Sequence, residues 1–412
     1  MARDRRREPG RGGPTRRQLL LGGAVAGAGA AVAVGADALT RTGQQPETSA
    51  TPAPPAGAGT VPFHGTHQAG IATAPQAHAA LVALDLHPTT DREALRRMMR
   101  LLSDDAARLT QGVAALADSE PELALVPANL TVTFGFGPEL VRRALTGTAT
   151  APTWLRPLPA FSVDRLEDAW SGGDLMLQIA SDDPLTLAHA RRMLLKDTRS
   201  FASVRWTQPG FRRARGSEAP GTTMRNLFGQ VDGTVNPEPG TADFDDLVWV
   251  RDGWLAGGTS LVLRRIRMDL DTWDRLDRDG REQSVGRRLS DGAPLTGTQE
   301  HDEPDFAATT AIGFPVIPEF SHLRRARSLD TSQRIFRRGY SYDEAPAGGE
   351  VSSSGLLFVS FQADVDTQFV PLQRRLDELD LLNEWTTPIG SAVFAVPPGC
   401  GEGGWVGETL LG

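Results

Sequence analysis

Short apolar runs alternate with stretches of helical spacing through most of the chain. Residues 80–86 (Ala80-Leu81-Val82-Ala83-Leu84-Asp85-Leu86) have the length and near-continuous apolarity of a buried strand. Thr90-Asp91-Arg92-Glu93 follows as a capping box that opens a helix, on which Leu95, Met98, Met99, Leu102 and Leu109 share one face. Further strands are predicted at 130–135, 174–179 and 202–206, with a second helix starting at Asp183-Pro184, where the proline suits the first helical turn. The pattern then recurs, with a strand at 260–266, a helix around Asp271, Trp273 and Leu276, a strand at 356–361, a helix through Leu372 and Leu376, and a last strand at 392–396.

The order strand-helix-strand-strand-helix-strand in the first half is the ferredoxin-like arrangement, and the second half repeats its theme. The predicted fold class is therefore α+β, with tandem ferredoxin-like domains, each an antiparallel sheet with helices on one face. The boundaries expected are 61–215 for the N-terminal domain and 216–412 for the C-terminal one. Residues 208–239 between them are rich in Gly, Arg, Thr and Asn, lack periodicity and are too long for an idle connection.

Composition narrows the chemistry. Of 412 residues, 40% are hydrophobic and 23% charged, which excludes a mostly disordered, collagen-like or multi-span membrane chain. The single cysteine, Cys400, excludes an intramolecular disulfide and any Cys-rich metal site. The net charge of −8 is uneven: residues 1–38 hold seven arginines against Asp4, Glu8 and Asp37, so the remaining chain is strongly acidic. Such a body repels phosphate backbones, and nucleic acid is not an expected partner. Lys196 is the sole lysine, which removes almost every candidate for P-loop or Schiff-base chemistry.

Thr15-Arg16-Arg17-Gln18-Leu19-Leu20-Leu21, with the uncharged Gly/Ala run to Ala36, is similar to a twin-arginine export signal over 1–38. The alternative, an anchoring transmembrane helix, is disfavoured by five glycines between Gly22 and Gly35. A Pro/Ala-rich linker is read at 39–60, and the expected location is the periplasm, the cell envelope or the extracellular space.

Three segments outside the strands and helices carry candidate chemistry. Gly229-Gln230-Val231-Asp232-Gly233-Thr234-Val235-Asn236-Pro237 places an acid between glycines; a turn is the plainer reading, and a confined proton-shuttling carboxylate is the functional one. Among seven histidines, His322 follows the proline-punctuated stretch 313–318; it is either a structural histidine or an axial iron ligand. Ile335-Phe336-Arg337-Arg338-Gly339-Tyr340-Ser341-Tyr342 holds both tyrosines; its arginines are either a solvated pair or include one directed into a dry pocket.

In that order the three segments resemble the dye-decolorising peroxidase family, especially its exported branch, which includes a deferrochelatase/peroxidase linked to ferrous iron uptake. His67-Gln68-Ala69-Gly70-Ile71, Val204-Arg205-Trp206, Arg264-Arg265-Ile266-Arg267-Met268, Gly292-Ala293-Pro294-Leu295, Gly355-Leu356-Leu357-Phe358-Val359 and Pro388-Ile389-Gly390 extend the likeness over residues 61–400. It implies one b-type haem per chain in the C-terminal half, with His322 as axial ligand, Asp232 as distal acid–base and Arg337 as distal cation. Gly233, Thr234, Val235 and Phe358 are then haem contacts, and Arg327 is the candidate for a propionate. The family pattern His-x-Arg-Leu-Ala-Asn-Pro-Arg is not kept, since the chain reads His322-Leu323-Arg324-Arg325-Ala326-Arg327-Ser328-Leu329.

The resemblance implies hydrogen peroxide as oxidant and bulky organic donors such as dyes and phenolics, oxidised through surface aromatics for which Tyr340, Tyr342, Trp206 and Trp254 are candidates. Asp377 and Glu384 are candidates for the carboxylate that orients His322. Two other functions stay open: a deferrochelatase that handles haem iron with iron-uptake components, and a non-enzymatic ferredoxin-like binding module. A homo-oligomer is compatible with either.

Overall fold

Period-two alternation decides which way each strand faces. In β1 (His78–Leu86), Ala79, Leu81 and Ala83 join one apolar cluster while Val82, Leu84 and Leu86 join another on the opposite side. The structure is a computed structural model that describes residues 56–346 and 348–412. The export signal read at 1–38 and the linker up to residue 55 lie outside the described residues. The end of that linker is tied down, for the backbone carbonyls of Gly57 and Gly59 accept from the amides of Ala128 and Asn129 at 2.9 and 2.7 Å.

The remaining strands are β2 (Thr131–Phe136), β3 (Leu175–Ser181), β4 (Ala202–Phe211), β5 (Thr259–Met268), β6 (Phe336–Arg337), β7 (Tyr340–Glu344), β8 (Ser353–Gln362) and β9 (Thr386–Val396). They pair antiparallel in the order β5-β9-β2-β3-β1-β4-β7-β8-β6, and a further β5–β8 pairing closes the sheet on itself. The first-half strands run β2-β3-β1-β4 and the second-half strands run β7-β8-β5-β9. Where the halves meet, the ladders shrink to one residue pair each, Phe136 with Ala395 and Phe211 with Ser341.

Inside the ring, Leu81, Trp206, Leu263, Leu357, Val359, Phe361 and Phe394 form one core. Outside it, α1 (Arg92–Thr110) and α2 (Pro184–Thr198) cover the first half, with Leu95, Met98, Met99, Leu102 and Leu109 all buried as their spacing predicts. The α1 cap differs from the expected capping box. Asp91, not Thr90, accepts from the amide of Ala94 at 2.8 Å, because the Thr90 hydroxyl is used by the Phe201 carbonyl at 2.6 Å. The α2 start is as read, with the Asp183 carboxylate accepting from Thr186 N at 2.7 Å.

In the second half, the helix expected around 271–276 splits into Leu270–Trp273 and Arg278–Val285. Asp269 and Asp277 cap the two pieces separately, and Trp273 is pinned between Phe228 and Trp385 at 4.4 and 5.2 Å. Two later helices matter for the site: α3 (His322–Ala326) and α4 (Val370–Leu379), which pack on each other.

A carboxylate pair sits between α1 and α2. Asp105 is buried and accepts from Leu116 N at 2.9 Å, while the Asp197 Oδ2 is buried without a partner among the described residues. Burial first, and then the neighbouring Asp105 charge, push the Asp197 carboxyl up to about 7. Its pKa is thus higher folded than unfolded, so the stability it supports is full below the ordinary carboxylate range and is lost as pH rises through neutrality. Asp197→Asn is expected to raise the melting temperature near pH 8 and to leave it nearly unchanged near pH 4; an equal shift at both pH values in thermal melts contradicts a carboxyl held protonated by burial and the Asp105 charge.

Candidate active site

The 224–236 segment folds into a tight loop because its backbone groups satisfy one another. The Asp232 amide donates to Met224 O at 2.8 Å, the Gly229 amide to Asn226 O at 2.9 Å and the Asn236 amide to Gly233 O at 3.0 Å. Gly233 takes φ of 127°, which side-chain-bearing residues rarely adopt, and a Cβ there meets nothing nearer than Thr223 Cγ2 at 3.5 Å. The turn reading of Asp-Gly is therefore correct as geometry. The turn also aims the Asp232 carboxylate, whose Oδ2 accepts from Asn226 Nδ2 at 3.4 Å.

The Asp232 Oδ1 lies 2.9 Å from Arg337 Nη1. Arg337 comes from β6, opposite Ser360 of β8, on the outer face that Phe358 shares. Its backbone is gripped by the Asn236 side chain, which donates to Arg337 O at 2.8 Å and accepts from Arg337 N at 3.0 Å. The next residue, Arg338, turns inward, is fully buried and donates to the backbone carbonyls of Ile71, Thr73 and Ala74. The adjacent arginines are thus neither a solvated pair nor equivalent.

His322 opens α3 and is partly open to solvent. Its Nδ1 is 2.6 Å from Asp380 Oδ2, while Asp380 Oδ1 accepts from Leu382 N at 3.0 Å. The orienting carboxylate is therefore Asp380, not Asp377 or Glu384. Asp377 points from α4 toward Ser162 and Val163, accepting from both backbone amides at 3.0 Å, and Glu384 is exposed. Desolvation works to lower the His322 pKa, but the charge and hydrogen bond of Asp380 outweigh it and hold the imidazole above its ordinary value. The charges of Arg337 and Asp232 also act on His322, so all three share one electrostatic neighbourhood.

The other predicted contacts divide. Thr234 donates to Glu300 Oε1 at 2.9 Å, and Val235 leaves 57% of its surface exposed beside it. Phe358 is half-buried and bridges two apolar clusters. Arg327 leaves the end of α3 extended and forms an ion pair with Glu303 near the surface. Tyr340, Tyr342 and Trp206 are in the ring interior rather than at the surface, because their strands turn those positions inward. Trp254 is half-buried, its indole donating to Thr150 O at 3.1 Å. A separate open cleft of about 430 Å³, lined by His64, Arg100, Asp104, Trp405 and Glu408 among others, contains none of the predicted site residues.

The family models match nearly the whole described chain. Residues 68–212 match Dyp-type peroxidase, N-terminal, and residues 223–401 match Dyp-type peroxidase, C-terminal. The chain belongs to the Dyp-type peroxidase family. It is 39% identical to a dye-decolorizing peroxidase of Thermobifida fusca, over 84% of this chain and 83% of that one. It is 35% identical to a deferrochelatase of Yersinia pestis, over 97% of this chain and 95% of that one. Among solved structures, a DyP-type peroxidase from Cellulomonas bogoriensis superposes with a TM-score of 0.84 at 57% identity, covering 87% of this chain and 99% of that one. Ferric DtpA from Streptomyces lividans superposes with a TM-score of 0.83 at 42% identity, covering 88% and 100%. This Dyp-type chain is accordingly a haem peroxidase.

The residues present fit a haem. The Asp380 bond engages the His322 ring at Nδ1 and leaves Nε2 available, an arrangement that commonly supports a metal-bound imidazole. Gly233 and the exposed Val235 offer an open backbone surface, and the guanidinium of Arg375 on α4 has two buried nitrogens, Nε and Nη2, without an acceptor among the described residues. Asn236, Asp380, Glu300 and that guanidinium were not singled out from sequence; Asn236 alone carried a signal, as part of the Asp232 loop.

Asn236→Ala is expected to keep the haem spectrum and lower kcat by about tenfold or more, since it frees the backbone beneath Arg337. Unchanged steady-state turnover of peroxide contradicts a positioning role for the clamp. Asp380→Asn is expected to weaken iron retention or activity by about 10–100-fold, checked by haem-transfer rate and turnover.

Proposed function

We propose that this Dyp-type chain reduces hydrogen peroxide and oxidises bulky organic donors, with His322 holding the iron of one b-type haem per chain. The observation that carries the reading is the 2.9 Å contact between Asp232 and Arg337, which share an electrostatic neighbourhood with His322. Bound haem supplies an iron centre able to take up peroxide and accept two oxidising equivalents. The Asp232 carboxylate would move a proton from one peroxide oxygen to the other, which could then leave as water with the two electrons that bound haem would supply. The Arg337 guanidinium holds Asp232 in place and stabilises negative charge on the departing oxygen. Asp380 holds the Nδ1 side of His322, so the ring presents Nε2 in a fixed direction. Gly233, Thr234, Val235 and Phe358 line the haem, with Thr234 braced by Glu300.

A second reading, haem-iron handling with iron-uptake components, draws on the likeness to deferrochelatases over 97% of the chain. The Asp232–Arg337 pair favours peroxidase, because a carrier requires neither group. We further read residues 61–215 and 216–412 as tandem ferredoxin-like domains, a reading supported by the matching strand order in the two halves. Export by the twin-arginine route to the periplasm, cell envelope or exterior rests on Arg16-Arg17 and the apolar run after it.

Purified protein loaded with haem is expected to change its visible spectrum promptly on one equivalent of hydrogen peroxide and to recover on adding a reducing dye. Asp232→Asn should keep the haem and lose peroxide turnover by about 10²–10⁴-fold. Stable haem binding with no peroxide response, and release of iron from intact porphyrin, supports the deferrochelatase reading instead; a chain that takes up no haem excludes both.

A further inference from the structure

Arg375 lies on the α4 stripe formed by Leu372, Arg375, Leu376 and Leu379, against the short helix that begins with His322. Its Nη1 donates to Gln333 Oε1 at 2.7 Å. Its Nε and Nη2 are buried and have no hydrogen-bond partner among the described residues. These two nitrogens form one edge of the guanidinium, the edge that matches a carboxylate with two parallel hydrogen bonds.

The surrounding acids do not fill that edge. Glu378 takes Arg325 Nη2 at 2.8 Å, and Asp330 takes Ser332 on Oδ1 and Gln333 Nε2 on Oδ2, the latter at 3.2 Å. Arg325 crowds the same place with a second positive charge, donating from Nε to the Arg375 backbone carbonyl at 3.0 Å. An arginine does not shed its proton to escape such a setting, and a buried charge without an acceptor is destabilising. Arg327, the sequence candidate for a haem carboxylate, already pairs with Glu303 in an exposed position.

We infer that Arg375 anchors a haem propionate through its Nε and Nη2, taking the role expected of Arg327. The inference rests on the haem reading of the His322 site. It makes Arg375 a cofactor-positioning residue whose charge is unsatisfied until the carboxylate arrives.

The test compares haem with its dimethyl ester, which lacks the propionate charges, in wild type, Arg375→Leu and Arg375→Lys. With haem, Arg375→Leu is expected to lose the group to apomyoglobin about tenfold faster or more, the loss of a charge-assisted pair. Arg375→Lys should fall between, having the charge without the fork. With the dimethyl ester, all three should release it at similar rates. Melting of the haem-free Arg375→Leu chain should be unchanged or higher than wild type, because an unpaired buried cation has gone.

Equal haem release by wild type and both variants overturns the inference, as does a loss of the same size with the ester, which makes Arg375 structural. Should Arg375→Leu fail to fold, the haem-to-ester comparison in Arg375→Lys decides alone. A wild-type chain that binds neither ligand refutes the haem reading itself, and Arg375 with it.

Discussion

Successive side chains on an extended strand must point to opposite faces, and at Arg337 and Arg338 this constraint organises the whole second half. Both residues are on the edge of β8, where β6 and β7 behave as one strand broken at Gly339. Arg337 turns outward to Asp232, while Arg338 turns inward and collects the carbonyls of Ile71, Thr73 and Ala74. The strand that arms the site thus also fastens the start of the folded chain to the ring interior. Shifting its register by one residue would exchange the two guanidinium groups, turning Arg337 inward and Arg338 toward Asp232.

The two walls of the site come from unrelated local devices. On one side, a glycine-permitted turn aims Asp232, and the Asn236 amide locks it to the Arg337 backbone with two hydrogen bonds. On the other, a single buried carboxylate does two tasks, since Asp380 starts the turn at Leu381–Glu384 and steadies His322. Neither wall depends on a long helix or a deep apolar pocket. Each is held by hydrogen bonds between segments far apart in sequence, 101 residues for Asn236 and Arg337 and 58 for His322 and Asp380, which ties the site's geometry to the packing of the whole second half.

Much of this was legible from residue order. The strands whose apolar runs are long, β1, β2, β3, β5, β8 and β9, were recognisable, as was the face of α1. The strands β6 and β7 were not, because they are short and are interrupted by Arg338 and Gly339. Asp232, His322 and Arg337 were named, yet which acid steadies His322 depends on how the chain leaves α4. Asp377 is still helical and faces Ser162; Asp380 is one residue past the helix end and faces His322. The pairing of Arg327 with Glu303 was hidden for a similar reason, since α3 stops at Ala326 and the backbone continues extended. Of the aromatic residues proposed for electron exit, Tyr340, Tyr342 and Trp206 lie on strands and are turned inward by the alternation rule, while Trp254, off the strands, is half-buried.

The closure of the sheet through β5 and β8 also governs how the molecule can meet others. A strand with a bare edge invites a second chain to continue the ladder, and β1, β3, β5 and β8, each paired along both edges, withhold that template. The two seams differ, since a single residue pair joins β2 to β9 and another joins β4 to β7. Backbone-directed docking is thereby confined to those seams, and over the rest of the ring recognition falls to the side chains of helices and loops.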